Sequence, residues 1–271
     1  MATPSRMPGV ALITGAASGI GRATAHTFVK EGCSRLVLAD RNATSLQGVC
    51  AELKALDASV QTLAVTVDVS SETEVGRLID KAVERFGAIH YAVNNAGITS
   101  PQRVRTHELD TASWDRVVEV NLRGAWLCQR AEIRQMLKQG LELESRTGSP
   151  AQRGAIVNIA SIFGILSHPT VGGYAASKAG VLGMTRTDAI AYGKDGIRIN
   201  SVLPGFINTP LMEESIRRGS NYETFAARVP LTRMGRAEEI AEAVVFLTSE
   251  KASYISGSEM VVDGGKRYSS L

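Results

Sequence analysis

A tyrosine and a lysine are spaced four residues apart in the segment YAASK, at positions 174 and 178. Side chains at positions i and i+4 of a helix share one face, so Tyr174 and Lys178 would meet if this segment is helical. The ammonium favours the phenolate and would lower the pKa of Tyr174 towards the pH at which acid–base catalysis is most efficient. Ser161 adds a hydroxyl that can stabilise charge on a substrate oxygen. Together these side chains predict proton transfer at an alcohol or carbonyl oxygen, although each also has an ordinary role in packing, solvation or turn capping.

A glycine-rich turn lies near the N-terminus, in the segment VALITGAASGIGRATAHTF. Gly15, Gly19 and Gly21 follow a predicted strand and open a predicted helix, with Ser18 and Ile20 between them. Glycines permit a tight turn and a close approach of the backbone to a pyrophosphate, and the N-terminus of a helix attracts anions. The GxxxGxG spacing differs from the common GxGxxG pattern. The context nevertheless predicts nucleotide binding rather than a plain strand–helix turn.

Acidic residues follow the second and third predicted strands. Asp40 lies about 20 residues after the glycine turn, where a carboxylate can accept hydrogen bonds from the ribose of NAD and repel the 2′-phosphate of NADP. Arg41 could instead hold that phosphate or be a solvated charge, so NAD is preferred and NADP is not excluded. Asp68 could accept a hydrogen bond from the adenine amine, with the Val69 backbone lining that pocket. The alternative for Asp68 is a role at the start of the following helix.

Short apolar segments alternate with amphipathic ones along the chain. Predicted strands cover residues 10–14, 35–39, 61–67, 89–93, 155–160, 197–203 and 259–263. Predicted helices cover residues 19–31, 43–56, 72–86, 111–138, 173–193 and 237–249. Strands that are apolar on both faces and alternate with helices predict a parallel sheet covered on both sides, and right-handed crossovers make it doubly wound.

The fold class predicted is therefore α/β, with about seven strands in a single domain over residues 1–271. Two segments interrupt the alternation. Residues 139–154 form a polar, turn-rich insertion. Residues 205–236 contain two short helical pieces after a strand end, which is typical of a substrate loop or lid.

Composition excludes several classes of function. The 30 Lys and Arg residues nearly balance the 27 Asp and Glu residues, and the net charge of +3 is scattered rather than clustered. No nucleic-acid or membrane partner is expected, since no basic run occurs and no segment approaches the roughly 18 apolar residues of a membrane span. The three cysteines and four histidines are dispersed, which predicts no metal site, no disulfide framework and a cytoplasmic location.

The motifs, taken in order, resemble those of the short-chain dehydrogenase/reductase family. The matching pieces span nearly the whole chain: TGAASGIG (14–21), DVS (68–70), NNAG (94–97), VNLRG (120–124), the serine of ASIFG (160–164), YAASK (174–178), LPGFINTP (203–210) and ISGSEMVVDGG (255–265). The resemblance implies a Rossmann-type, NAD(P)-dependent oxidoreductase that acts on an alcohol or carbonyl and assembles as a tetramer or dimer.

The resemblance also implies roles for individual residues. Ser161, Tyr174 and Lys178 would form the catalytic group, with Lys178 also holding the nicotinamide ribose and Asn121 supporting a water in a proton relay. The remaining cofactor contacts implied are Asn94, Ala96 and Gly97 on the adenosine side, and Pro204, Gly205, Ile207 and Thr209 at the nicotinamide.

Substrate contacts are predicted from apolar residues near these motifs. Besides Ser161 and Tyr174, the expected pocket residues are Phe163, Ile165, Leu166, His168, Val171, Phe206, Leu211, Met212 and Tyr222. Their character indicates a lipophilic or cyclic secondary alcohol or ketone. Two alternatives stay open: a non-redox biosynthetic step such as dehydration, isomerisation or cyclisation on the same fold, and a catalytically silent NAD(H)-binding protein.

Overall fold

The computed structural model of the chain describes residues 7–144, 148–217 and 222–269, apart from the side chains of Ser215 and Tyr222. The strands are β1 Val10–Thr14, β2 Arg35–Asp40, β3 Gln61–Thr66, β4 Tyr91–Asn94, β5 Gly154–Ile159, β6 Ile197–Pro204, β7 Ile207–Asn208, β8 Gly235–Arg236 and β9 Glu259–Val262. The α-helices are α1 Gly19–Lys30, α2 Ala43–Leu56, α3 Glu72–Phe86, α4 Thr111–Val118, α5 Ala125–Met136, α6 Gly172–Tyr192, α7 Pro210–Arg217, α8 Tyr222–Ala227 and α9 Ala237–Thr248.

Seven strands form one parallel sheet in the order β3-β2-β1-β4-β5-β6-β9. The chain winds outward from β1 in one direction and then, from β4 onward, in the other. The crevice between the carboxyl ends of β1 and β4 is therefore the topological switch point, where such sheets bind ligands. This architecture confirms the predicted Rossmann-type α/β class.

The sheet is buried on both faces. Every residue of β1, β5 and β6 is buried, including the polar residues Asn158, Arg198, Asn200 and Ser201. One apolar cluster packs α1, α2 and α9 on one face, with Phe28 and Leu53 fully buried. A second cluster packs α3, α5 and the end of α6 on the other face. Burying each large apolar side chain stabilises the fold by about 1.5–3 kcal/mol, and the result is a rigid edge on which loops can position a site.

Most predicted elements begin and end within about two residues of the observed ones, the usual scatter of helix and strand boundaries. The helix predicted over residues 111–138 is wrong in one respect, because a π-helical turn, Glu119–Gly124, separates α4 from α5. Asn121 lies in this turn, and its side chain hydrogen-bonds backbone outside the helix. Such π turns are often found at functional sites.

The two irregular segments are partly described. Within 139–154, Leu143 and Gln152 form an antiparallel bridge, and residues 145–147 lie outside the described part. The 205–236 segment carries α7, α8 and the two-stranded sheet of β7 and β8. Its role as a lid, and the single-domain assignment, stay predictions. Within the described ranges, the helices are all too short or too polar to cross a membrane.

Candidate active site

The three side chains predicted to act together meet at the carboxyl edge of the sheet. Ser161 follows the end of β5, and Tyr174 and Lys178 lie on the first turns of α6. The Lys178 Nζ lies 5.8 Å from the centroid of the Tyr174 ring, as expected for an i,i+4 pair. The Ser161 side chain hydrogen-bonds Tyr174 and also accepts a hydrogen bond from the Phe163 backbone N–H at 3.2 Å. Ser161 is thus both a turn cap and a partner of the phenol.

Burial dominates the electrostatics of this group. Burial raises the pKa of Tyr174, and the hydrogen bond from Ser161 only partly offsets the rise. Burial also lowers the pKa of Lys178, to about 8. The Lys178 Nζ donates a hydrogen bond to the Ile159 carbonyl at 2.7 Å rather than to the phenol. In the protein alone, desolvation has the larger influence on the pKa of Tyr174. The expected lowering of this pKa by Lys178 together with a bound nicotinamide stays a prediction.

Asn121 is held in one orientation by the loop after β4. Its Oδ1 accepts a hydrogen bond from the Ile98 N–H at 2.8 Å, and its Nδ2 donates to the Ile98 carbonyl at 2.9 Å. A Cβ placed on Gly97 would lie 3.2 Å from the Asn121 Oδ1 and 3.6 Å from the Lys178 Nζ. Asn121 and Lys178 therefore flank the same point, which is compatible with a bridging water between them.

A cavity of about 150 Å³ opens beside the Tyr174 hydroxyl and Ser161. The predicted substrate residues that line it are Ser161, Phe163, Val171, Tyr174, Phe206, Leu211 and Met212. Among the described residues, His168, Ile165 and Leu166 are not part of its wall, and the side chain of Tyr222 lies outside the described part.

His168 packs behind the cavity wall. Its ring lies edge-on to Phe163 at a centroid distance of 6.0 Å, and its Nδ1 is 3.2 Å from the Thr170 hydroxyl. Burial lowers the pKa of His168, and the positive charges of Arg103 and Arg228 lower it further.

Sequence reasoning missed part of the wall. Ile98, Thr99 and Arg103, in the loop after β4, and Phe225, on α8, also line the cavity. Loops that follow strands beside a switch point usually contact ligands. That rule, applied to the segment after residue 94, is the signal that could have found the first three. No sequence pattern marks Phe225.

The glycine turn has a backbone geometry suited to the close approach of a phosphate group. Gly15 and Gly19 have φ angles of +65° and +51°, which other residues rarely adopt. A Cβ on Gly21 would lie 2.2 Å from the Gly15 carbonyl oxygen, so only glycine fits there. The N-terminus of α1 begins at Gly19, and Ser18 makes no capping hydrogen bond to any described residue. These features fit a dinucleotide pyrophosphate bound at the helix N-terminus.

A groove of about 600 Å³ runs from this turn along the sheet edge. The predicted cofactor residues that line it are Gly15, Ser18, Gly19, Ile20, Asp40, Arg41, Ala96, Gly97 and Thr209. Pro204, Gly205 and Ile207 line the neighbouring substrate cavity instead, together with Tyr174 and Lys178. Gly21 acts beneath the turn, through its contact with Gly15.

The acidic end of the groove contains more positive charge than the sequence indicated. The Asp40 Oδ2 accepts a hydrogen bond from the Ala17 N–H at 3.1 Å, and its Oδ1 accepts one from the Asn42 N–H at 2.9 Å. Arg116 and Arg217, which sequence reasoning missed, line the groove with Arg41. Both lie on helices that only the fold brings to this edge.

The Asn94 side chain does not face the groove. Its Nδ2 donates to Glu132 at 3.0 Å and to Asn158 at 3.1 Å, within the buried layer below the sheet edge. The next residue, Asn95, supports the glycine turn by donating from its Nδ2 to the Thr14 carbonyl at 3.0 Å and to the Gly15 carbonyl at 3.1 Å. Adjacent residues at a strand end point to opposite sides, so a one-position shift decides which asparagine faces the cofactor site.

Asp68 and Val69 occupy structural positions. The Asp68 Oδ1 accepts hydrogen bonds from the Ser70 hydroxyl and N–H, at 2.6 and 2.9 Å, and these bonds lower the pKa of Asp68. Val69 is buried in an apolar cluster with Val75 and Val120. Neither residue is among the described residues that line the groove. An adenine contact from this turn stays a prediction.

The described residues contain no group of three or more His, Cys, Asp or Glu side chains arranged to hold a metal ion. The site therefore consists of a glycine turn, a groove and an apolar cavity with a Ser–Tyr–Lys group.

A parallel Rossmann-type sheet with this site defines an α/β dinucleotide-dependent class of protein. A family profile described as enoyl-(acyl carrier protein) reductase matches residues 15–267. The chain belongs to the short-chain dehydrogenase/reductase family, whose members are oxidoreductases that use NAD(P). The resemblance drawn from the sequence motifs is confirmed.

Several relatives cover almost the full length of the chain. The cis-4-hydroxycyclohexanecarboxylate dehydrogenase of Sinomonas cyclohexanicum is 41% identical over 94% of this chain and 95% of its own. The 3-oxoacyl-[acyl-carrier-protein] reductase FabG of Thermotoga maritima is 38% identical over 94% of this chain and 96% of its own. The crystal structure of a levodione reductase matches with a TM-score of 0.88 at 37% identity, covering 96% of this chain and 98% of that chain.

Proposed function

We propose that the protein transfers a hydride between NAD(H) and a secondary alcohol or ketone that is lipophilic or cyclic, with Tyr174 as the general acid/base. The observation that carries this proposal is that the cofactor groove and the cavity at Tyr174 are continuous. Asn95, Gly97, Ile98 and Thr209 line both the cofactor groove and the cavity at Tyr174. A nicotinamide at the end of the groove would therefore lie against a substrate whose oxygen reaches the phenol.

NAD, when bound, supplies the hydride acceptor for alcohol oxidation, and NADH the donor for ketone reduction. In oxidation, the Tyr174 phenolate takes the proton from the substrate hydroxyl, and in reduction the phenol returns it. Ser161 donates a hydrogen bond to the substrate oxygen and stabilises its developing charge. Lys178 and Asn121 flank a position where a water can pass the proton towards solvent. Because burial raises the pKa of Tyr174 in the protein alone, the phenolate depends on the positive charge of the oxidised cofactor in addition to that of Lys178.

The cyclic substrate class is supported by the cavity and by the relatives. The cavity of about 150 Å³ is smaller than typical pockets for drug-sized ligands, which measure about 300–1,000 Å³. Its walls include Phe163, Phe206 and Phe225. Two of the relatives are named for ring-shaped compounds, a hydroxycyclohexanecarboxylate and levodione. Because another relative is a 3-oxoacyl-[acyl-carrier-protein] reductase, 3-oxoacyl thioesters are the second class of substrate to assay.

The test is a screen of cyclic secondary alcohols, cyclic ketones and 3-oxoacyl thioesters with NAD(H) and NADP(H), with and without Tyr174→Phe. General acid–base catalysis contributes about 10²- to 10⁴-fold, so Tyr174→Phe should lower kcat by that factor while NADH still binds. Tyr254→Phe, at a fully exposed tyrosine, is the matched control and should leave kcat unchanged.

Other results would redirect the proposal. Turnover that persists in Tyr174→Phe would remove Tyr174 from the chemistry. NADH binding without turnover of any compound would favour the silent binding protein. Substrate conversion without net change in nicotinamide absorbance would favour a non-redox step.

We also propose that the chain forms a homo-oligomer, a tetramer or a dimer, in the cytoplasm. Large apolar side chains are exposed on the helices of one face: Trp126 on α5 is 41% exposed and Ile190 on α6 is 85% exposed. Light scattering coupled to size exclusion gives the mass directly. A mass of about one chain across the working concentration range would contradict the oligomer, and cell fractionation tests the location.

A further inference from the structure

The cavity beside Tyr174 has an uneven distribution of charge. Of the described residues that line it, two are cationic, Arg103 and Lys178, and none is an aspartate or a glutamate. Lys178 lies on the tyrosine side and donates to the Ile159 carbonyl. Arg103 is the charged wall residue for which the hydride-transfer mechanism has no use.

Arg103 makes one corner of the cavity electropositive. It is half-buried in the loop that follows β4. Its charge, with that of Arg228, acts on His168 and helps to lower the pKa of that imidazole. His168 and Tyr174 both pack edge-on against the Phe163 ring, at centroid distances of 6.0 and 6.5 Å. The acid–base group and the electropositive corner therefore share one aromatic wall.

The size of the cavity limits what can connect the two ends. The cavity of about 150 Å³ is well below the roughly 300–1,000 Å³ of pockets that take drug-sized ligands. A substrate that places its oxygen at Tyr174 and a second group at Arg103 needs only a small skeleton, such as one six-membered ring.

A guanidinium in a wall whose described residues include no aspartate or glutamate favours one chemical group. Its planar fork of donors matches a carboxylate, and such charge-assisted, bidentate hydrogen bonds are stronger than neutral ones. An uncharged ketone would gain little from the same arginine.

We propose that Arg103 binds a carboxylate of the substrate, so that the preferred substrates are small, ring-containing hydroxy or oxo carboxylates. The alcohol or ketone oxygen lies at Tyr174, and the acid group lies at Arg103. This inference rests on the proposed dehydrogenase function and adds the substrate class to it. Arg103 selects the substrate and takes no part in moving the proton.

The first test compares one ring with and without a charge: 4-hydroxycyclohexanecarboxylate and its primary amide, which has nearly the same shape. In Arg103→Gln, KM for the carboxylate should rise roughly 10- to 100-fold, the loss of a charged hydrogen-bonded pair, with kcat little changed. KM for the amide should stay within about twofold. Arg103→Lys keeps the charge without the fork and should give an intermediate KM for the carboxylate.

The second test needs no turnover. Titration calorimetry measures the binding of cyclohexanecarboxylate and cyclohexanecarboxamide to the protein saturated with NAD. The wild-type protein should prefer the carboxylate, and Arg103→Gln should lose that preference. Arg105→Gln, at an exposed arginine of the same loop that does not line the cavity, is the control and should keep it.

The outcomes separate the two proposals. An equal loss for acid and amide in Arg103→Gln, or no loss for either, overturns the carboxylate site while leaving the dehydrogenase intact. A wild-type protein that binds the carboxylate in calorimetry but oxidises no alcohol retains the site and overturns the dehydrogenase. A wild-type protein that turns over the amide as efficiently as the acid also overturns the carboxylate site.

Discussion

Asp40 is a residue with two functions at one position. Its carboxylate accepts hydrogen bonds from the Ala17 and Asn42 amides and also faces the cofactor groove. A ribose diol would share its remaining lone pairs, whereas a 2′-phosphate would meet its negative charge. Arg41 and Arg116 line the same groove and would favour that phosphate. Cofactor preference therefore depends on which charge lies nearer to the ribose.

Asp40→Asn should shift preference from NAD towards NADP. The amide keeps an acceptor oxygen for the Ala17 N–H but removes the negative charge that repels the phosphate. The ratio of kcat/KM for NAD to that for NADP should fall roughly 10-fold or more, as expected for loss of charge-assisted hydrogen bonds. Steady-state kinetics with both cofactors measure the ratio, and thermal denaturation checks the fold. A wild-type protein that already prefers NADP would show that Arg41 and Arg116 dominate.

Some of this residue-scale detail could be predicted from the sequence, and some could not. The i,i+4 spacing of Tyr174 and Lys178 predicts their shared face, because helix geometry is local. The rise in the pKa of Tyr174 could not be predicted, because burial is set by residues distant in sequence. The exchange of roles between Asn94 and Asn95 depends on the register of one strand end, which a motif does not specify.

The conformation of the glycine turn between β1 and α1 requires residues without a side chain at particular positions. Gly21 lies under the turn, against the Gly15 carbonyl oxygen, and a methyl group there cannot be accommodated without moving backbone. Gly76, inside α3, has open space around it, and a methyl group added there would meet nothing within 4 Å. The two glycines provide a matched pair for substitution.

Gly21→Ala should weaken NAD binding and lower the melting temperature, because the new Cβ displaces the Gly15 carbonyl within the glycine turn. Gly76→Ala should raise the free energy of unfolding by about 1 kcal/mol, since alanine favours the helix and meets no neighbour. Urea denaturation and NADH fluorescence titration measure the two effects. If Gly21→Ala and Gly76→Ala changed the free energy of unfolding and NADH affinity equally, the turn would accept a methyl group despite its close backbone contact.

A buried polar layer joins α5 to the strands beneath the site. Glu132 on α5 is fully buried, and its Oε2 accepts a hydrogen bond from the Asn94 Nδ2 at 3.0 Å. Among the described residues, the Glu132 Oε1 has no hydrogen-bond partner. Burial raises the pKa of Glu132 to about 8. The carboxyl group is therefore protonated in the folded state at neutral pH.

Glu132→Gln should remove a pH dependence of stability. Between its ordinary value of 4.5 and about 8, Glu132 is protonated when folded and ionised when unfolded. The free energy of unfolding of the wild type should therefore fall as pH rises through this window, by up to about 1.4 kcal/mol per pH unit from this group. The two proteins should be similar near pH 4.5 and differ increasingly towards pH 8. Urea denaturation across pH measures the difference, and Glu84→Gln, at an exposed site on α3, is the control.

At the scale of the whole molecule, the alternation of apolar strands and helices predicts the sheet well. The apolar segment at residues 10–14 becomes a strand buried on both faces, and so do the partly polar segments at 155–160 and 197–203. The π turn at Glu119–Gly124 could not be predicted, because no sequence pattern marks it and the hydrogen bonds of Asn121 within it go to Ile98, 23 residues away. The wall formed by Arg103 and Phe225 was missed for a similar reason, since it joins segments far apart in the chain.

The two hydrogen bonds between Asn121 and Ile98 anchor the start of the loop after β4. Beyond that anchor, the loop continues to Thr99 and Arg103 on the cavity wall. Under the proposed function, sequence changes downstream of Ile98 would alter the cavity wall while the hydrogen bonds of Asn121 to Ile98 stay in place. Exchanging residues 99–103 between homologues would test whether this loop determines substrate selectivity.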